Sequence, residues 1–445
     1  MRIRCLLAAA AAVASLTGPS ALAADAAVVP GRVIVRYHGD TTHAERVRAQ
    51  VRSDTATEGV IAGGARELRV AGGHPLSRTI DELNRDPAVA YAVPDYVVHA
   101  ADFIPRDPGR SGVAGGWQQV QWNFTGPASV NAPAAWTLAR RAGAPGGRGV
   151  TVAVIDSGVA YESYRRFRRA PDLYGTRFVR GYDWVSRDRH PNDEEGHGTH
   201  VTGTIAETTN NRRALTGLAY GVRIMPLRVL DRDGNGSGAD IARAIRWAAK
   251  HGAKVINMSV EFDSGERAGD IPEVIRAIGY ANRKGAVMVA ASGNEGVQRI
   301  AYPARADHVI SVAATTADGC LATYSNAGRG LDVVAPGGGQ DAPLGGNAWD
   351  DTHCNPVRRD RLVYQQTFWG SVRRFGLVGF EGTSFSTPHV SAIAALVIAT
   401  RRIGRHPSPA AVRRRIMDTA QDVGPAGNDP RYGAGLADAA AALRR

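Results

Sequence analysis

From about residue 150 onward the chain alternates short, nearly continuous apolar runs with longer stretches of helical spacing. The runs are residues 150–155, 223–229, 254–258, 286–291 and 309–313. Between them, residues 201–208, 239–250 and 272–283 carry apolar positions spaced for one helix face. Strands that are apolar on both faces and alternate with helices predict a mainly parallel sheet covered on both sides. Open sheets of this kind bind ligands beyond the carboxyl ends of their strands. Asp156 and Asn294 fall just past two of those ends. The predicted fold class is α/β.

The first hundred residues read differently. Met1-Arg2-Ile3-Arg4 is basic, residues 6–16 are apolar, and Ala21-Leu22-Ala23 is a small-residue cleavage site. This is the pattern of a secretory signal peptide over residues 1–23, so the protein is expected to be secreted. The apolar run is too short to span a membrane, and no later segment reads as a span. Val33-Ile34-Val35 and residues 90–93 read as strands, and residues 44–51 and 80–83 as helices, which suggests a small α+β domain over residues 24–102. Residues 104–116 are rich in Pro and Gly and read as an exposed linker opening the second domain, residues 103–445.

Composition changes this picture little. The chain is 44% hydrophobic and 22% charged, which suits a large core. The net charge of +12 is carried by arginine, since lysine is confined to Lys250, Lys254 and Lys284. No arginine cluster is interleaved with aromatics, so solvated arginines are expected rather than a nucleic-acid partner. Cys5 should leave with the signal. Cys320 and Cys354 remain, and in an oxidising compartment an even pair reads as one disulfide; two separate buried thiols are the alternative.

The chemistry starts at Gly382-Thr383-Ser384-Phe385-Ser386-Thr387-Pro388-His389-Val390, ahead of an apolar helix. A serine at the mouth of a buried helix is either a helix cap or a nucleophile. It becomes a nucleophile only with a base and an orienting acid. Asp156 ends the strand Val152-Ala153-Val154-Ile155, and His197 opens Gly196-His197-Gly198-Thr199-His200. His200 is a rival base, and the residues alone do not choose. Pro388 is expected in the first helical turn, where a missing N–H is tolerated. Gly196 and Gly198 are expected to leave room for substrate. Asp231-Arg232-Asp233-Gly234-Asn235 lacks the acid an EF-hand needs at its twelfth position, where Ala242 stands.

The chain order Asp, His, Ser, together with the Gly-Thr-Ser-x-x-x-Pro-His-Val pattern, resembles the subtilisin-like serine proteases, the subtilase family. The resemblance implies an endopeptidase with Ser384 as nucleophile, His197 rather than His200 as base, Asp156 orienting it, and Asn294 as oxyanion donor. Substrate edges are then expected at Gly234, Gly236, Ser259, Glu261, Ser292 and Gly293. The first domain resembles the family's propeptide, a folding helper and inhibitor removed by self-processing. Protein and peptide substrates, a monomer, and no membrane or nucleic-acid partner are expected. Structural calcium is a candidate, with Asp183, Asp188, Asn192 and Asp193 as oxygen ligands; no catalytic metal is expected. The sequence departs from the family at Ser259-Val260-Glu261-Phe262, where Ser-Leu-Gly-Gly is usual, and carries an insertion within residues 338–380 with no evident chemistry. An inactive secreted peptide-binding relative is the alternative reading.

Overall fold

The computed structural model describes residues 28–61, 63–71, 74–96, 103–357 and 361–444. The expected signal peptide lies outside them. The chain divides into two units, residues 1–101 and 102–445.

The first unit is built from β1 (Val28–Tyr37), α1 (His43–Arg52), β2 (Thr55–Val60), β3 (Arg66–Val70), α2 (Leu76–Asn84) and β4 (Val89–Tyr96). Its antiparallel sheet has the order β2-β3-β1-β4. Val33, Val35, Leu68, Leu83 and Ala92 close a small core. Strands β2 and β3 were not legible in the sequence. The first of them, Thr-Ala-Thr-Glu-Gly-Val, is largely exposed and forms by pairing with its neighbour.

The second unit holds α3 (Ala132–Arg141), β5 (Thr151–Asp156), α4 (His197–Ala206), β6 (Arg223–Arg228), α5 (Gly238–Lys250), β7 (Val255–Met258), α6 (Pro272–Arg283), β8 (Val287–Ala291), β9 (Val309–Thr315), β10 (Val333–Pro336), β11 (Val363–Phe368), β12 (Phe375–Phe380) and α7 (Thr383–Thr400). Strands β10-β9-β8-β7-β5-β6 lie in that order in one parallel sheet, extended by Arg177–Phe178 beside β6. Alternate residues feed opposite faces. Val152 and Val154 enter one core, and Ala153 and Ile155 enter the other. This two-sided burial is why the strands read as continuous apolar runs. The chain leaves β5 for β6 on one side and returns to β7 on the other. Strand β5 is therefore the switch point of the sheet, where a ligand crevice is expected, and Asp156 is its last residue.

Helix α7 is apolar on all sides and fills one face of the sheet, as an all-round apolar helix must. Among the described residues it is the one helix long and apolar enough to cross a membrane, with 18 residues and mean hydropathy 1.2. That corrects the expectation that no such segment exists; here it is the buried central helix. The expected linker is also tied down in part. Asp107 is fully buried, its carboxylate accepts from the backbone N–H groups of Asn210, Asn211 and Arg212, and Trp117 Nε1 donates to Pro105 O. Only residues 110–114 form an exposed run.

Candidate active site

Asp156 is carried to the centre of the site by β5 and is fully buried. Its Oδ1 lies 2.7 Å from His197 Nδ1 and accepts from Ser157 N–H at 2.7 Å. Burial alone would lower the pKa of the His197 imidazole. The carboxylates of Asp156, Glu195 and Asp193 outweigh that and hold it at about 9. Gly198 lets the first turn of α4 reach this acid. A Cβ there would stand 2.1 Å from Gly158 O and 3.0 Å from Asp156 Oδ1. Gly196, at φ 109°, does the same against Phe368 O. The room these glycines provide is thus taken by the protein itself and not by substrate, contrary to the sequence expectation.

His200 is placed elsewhere. It is fully buried, its Nε2 lies 3.1 Å from Val363 O, and its ring packs against Phe380 and Phe385. Burial lowers its pKa to about 3, so it stays neutral. Geometry thus puts His197, and not His200, beside Asp156, a choice that the residues alone left open and the family resemblance made.

Ser384 is the second residue of α7, at the positive end of the helix dipole. Pro388 lies past the first turn, inside the helix. It cannot donate to the carbonyl four residues back, which is that of Ser384. Ser259 Oγ donates to that carbonyl instead, at 2.8 Å. Ser384 Oγ in turn donates to Ser259 O at 3.3 Å. Asn257, a polar residue within apolar β7, donates from Nδ2 to Ser259 Oγ and accepts at Oδ1 from Ser391 Oγ. This support of Ser384 was missed in the sequence; an Asn in a fully buried strand was the available signal.

Asn294 Oδ1 accepts from Thr383 N–H at 2.8 Å and Thr383 Oγ1 at 3.0 Å. The amide nitrogen is thereby turned the other way, toward Glu261, at 3.3 and 3.4 Å. Burial raises the pKa of Glu261, against the lowering effect of that amide. Glu195, His197, Leu230, Gly234, Ser259, Val260, Glu261 and Ser384 together line a recess of about 230 Å³. Gly236 is held against the chain at Leu230, outside that lining. Ser292, expected at the substrate edge, is fully buried, and its hydroxyl donates to Asn326 O. Gly293, at φ 115°, admits the Asn326 side chain beneath it.

In the loop before His197 the carboxylates of the expected calcium ligands are engaged by the protein itself, whereas the buried Asn192 Oδ1 has no hydrogen-bond partner among the described residues. Asp193 spends one oxygen on Ser157 Oγ and the N–H groups of Glu195 and Gly196, and the other on Thr199. Asp183 accepts from Ser186 N–H and from Arg228, Asp188 accepts from His190 N–H, and Asn192 donates to Glu162. Among the described residues these carboxylates do not converge within one ion's reach. Arg228, nearly fully buried, supplies the positive charge by pairing with Asp183 at 3.1 Å and Glu194 at 3.0 Å.

The insertion is anchored at both ends of its fold. Cys320 and Cys354 are joined by a disulfide, with Cα atoms 5.7 Å apart. Strands β11 and β12 form an antiparallel hairpin against α4, where Thr367 Oγ1 donates to Gly196 O.

The model of the subtilase family matches residues 147–435. A thermophilic serine proteinase of Bacillus sp. strain AK1 is 34% identical over 358 residues, covering 80% of this chain and 74% of that protein. Thermitase of Thermoactinomyces vulgaris is 33% identical, covering 67% of this chain and 88% of its own length. The solved structure of a protease from Pseudoalteromonas arctica superposes with a TM-score of 0.60 at 28% identity, over 77% of this chain and 99% of that one. By sequence and by fold, the chain belongs to the subtilase family of serine-type endopeptidases.

Proposed function

We propose that Asp156, His197 and Ser384 act as a catalytic triad that cuts peptide bonds through an acyl-enzyme. The observation that carries this is the 2.7 Å contact between Asp156 and His197, in a recess that His197 shares with Ser384. Ser384 Oγ leaves its bond to Ser259 O and attacks the substrate carbonyl carbon while His197 Nε2 takes its proton. Asp156 holds the imidazole in one tautomer and stabilises its charged form. The oxygen that becomes negative is met by the Asn294 amide, which Thr383 orients beforehand. His197 then returns the proton to the leaving amine, and water releases the acyl group by the same route.

The export pattern of residues 1–23 and the secreted character of the reading belong together. Residues 28–96 fold as a unit of their own and serve, in this reading, as a propeptide that inhibits until it is cut off. The anchored stretch around Pro105 and Asp107 favours a cut before it or in the exposed run 110–114.

Casein hydrolysis and labelling by a serine-directed phosphonofluoridate test the triad. One adduct on Ser384 with loss of cleavage is expected. Unlabelled Ser384 in a protein that still cuts casein would overturn it. Ser384→Ala should also accumulate as the larger, unprocessed chain; equal sizes of variant and wild type, in a host without other proteases, would exclude self-processing.

A further inference from the structure

The insertion and the charge of +12 both lacked a role in the sequence, and the structure brings them together. A groove of about 540 Å³ is lined by Arg166, Arg232 and Arg373, by Glu194 and Asp233, and by the ring of Phe368. Phe368 and Arg373 belong to the hairpin of the insertion: one ends β11, the other lies in its turn. The groove adjoins the active recess along two walls. Glu194 precedes Glu195, and Asp233 precedes Gly234, both of which line the recess.

The charges of this groove are not balanced within the protein. Glu194 already accepts from both Arg166 and the buried Arg228. Among the described residues, Arg232 pairs with its exposed neighbour Asp233, at 3.6 Å, and with no other carboxylate. Arg373 uses Nε on Arg166 O, and among the described residues no carboxylate lies within ion-pair distance of it. The loop of residues 161–169 is tied to the hairpin turn by Arg168 N–H on Val372 O, and these two segments add Arg165, Arg168 and Arg374. Three arginines, Arg166, Arg232 and Arg373, thus line the groove beside the cleft.

We infer that this groove is an extended substrate subsite for acidic side chains, Asp or Glu, lying a few residues from the cut, with Arg232 and Arg373 as its specificity-determining residues. A guanidinium offers a planar fork of N–H donors to a carboxylate. The ring of Phe368 gives the aliphatic stem of a Glu an apolar surface. The inference rests on the endopeptidase reading and deepens it.

The test uses the processed, secreted enzyme and a peptide series with one cleavable bond, in which a single Glu or Gln is placed at each position on either side. Glu should raise kcat/KM about fivefold at neighbouring positions on one side only, the scale of one exposed ion pair. The advantage should fade at 0.5 M salt, where exposed charges are screened. Arg232→Gln with Arg373→Gln should remove it while leaving the all-Gln peptide unchanged, and Arg373→Glu should transfer the advantage to Lys. Equal rates for Glu and Gln peptides in the wild type, or an advantage that persists in the double variant, would overturn the inference while the endopeptidase reading stands. Failure to cut any peptide of the series in a Ser384-dependent way would remove both.

Discussion

The side-chain amide of Asn294 donates to both carboxylate oxygens of Glu261, at 3.3 and 3.4 Å. The group proposed to receive the developing oxyanion therefore already faces a negative charge. The sequence reading puts Glu261 at the substrate edge, and the structure adds a contact with the Asn294 amide at the rim of the recess. Glu261→Gln is expected to lower the Lys-to-Glu selectivity for residues beside the cut. Burial raises the Glu261 pKa, so its charge is lost as pH falls through that raised value and is complete above it. The preference for Lys should follow the same course. Equal selectivity ratios for wild type and variant, measured as kcat/KM on paired peptides, would separate Glu261 from substrate choice.

Asn294→Ala is expected to lower kcat by about 100- to 1000-fold with little change in KM, the size of one oxyanion donor. Thr383→Val should give a smaller loss, because the Thr383 backbone N–H still holds Asn294 Oδ1. Steady-state kinetics on one peptide checks both. A Thr383→Val loss as large as that of Asn294→Ala would show that the hydroxyl, not the backbone, sets the amide.

The His197 imidazole must be neutral to accept a proton. Its pKa is held up at about 9, so kcat/KM should climb with pH through that region and level off above it. The same shift has a stability consequence. A histidine raised above its unfolded value of about 6.5 stabilises the fold fully below that pH, and the contribution disappears as pH rises through about 9. Glu195→Gln keeps an acceptor for His197 N–H but removes one of the charges that raise the imidazole. Its activity limb should move to lower pH. An unmoved limb would exclude that electrostatic role.

Glu207 and Asp172 form a buried acidic pair beneath α4. Burial raises the Asp172 pKa to about 6 and that of Glu207 well above the usual carboxylate range. A carboxyl raised in the folded state contributes stability below its unfolded pKa of about 4.3, and this is lost as pH rises. Glu207→Gln removes the charge while keeping an acceptor. It is expected to stabilise the protein by roughly 1–3 kcal/mol at pH 8, the scale of a buried polar mismatch, with little effect near pH 4. Thermal unfolding at the two pH values checks this.

The Cys320–Cys354 bridge closes a loop with a sequence separation of 34. In the chain-entropy account such a loop contributes about 3–4 kcal/mol. Thiol labelling of the denatured, unreduced, secreted enzyme should find neither cysteine. Replacing both by Ala should lower the unfolding midpoint.

The sheet was legible because its strands are buried on both faces and its helices on one. The helix Pro272–Arg283 matches its sequence reading end to end, and the five apolar runs match strands to within about two residues. The hairpin of the insertion was not legible. Its inward face carries Gln365 and Thr367, which serve α4 and Gly196 rather than an apolar core, so the usual alternation is absent. The triad candidates were legible from motif order, but the choice of His197 over His200 came from the family resemblance, since the residues alone left it open. Partners joined by space alone, such as Glu195 with His197 or Asn257 with Ser259, had no sequence pattern to announce them. The contacts of the expected calcium ligands were hidden for a related reason. A run of acids looks the same whether an ion or a distant arginine lies opposite.

That arginine gives the loop before His197 a property of its own. Arg228 is attached to β6 by the chain, so the cation bridging Asp183 and Glu194 neither dissociates nor exchanges. A chelator cannot withdraw it, and dilution does not weaken it. Lys at position 228 would keep the charge but lose the fork that reaches Asp183, Glu194 and Leu230 O together, so the hold on the segment before His197 depends on the shape of this cation as well as on its sign.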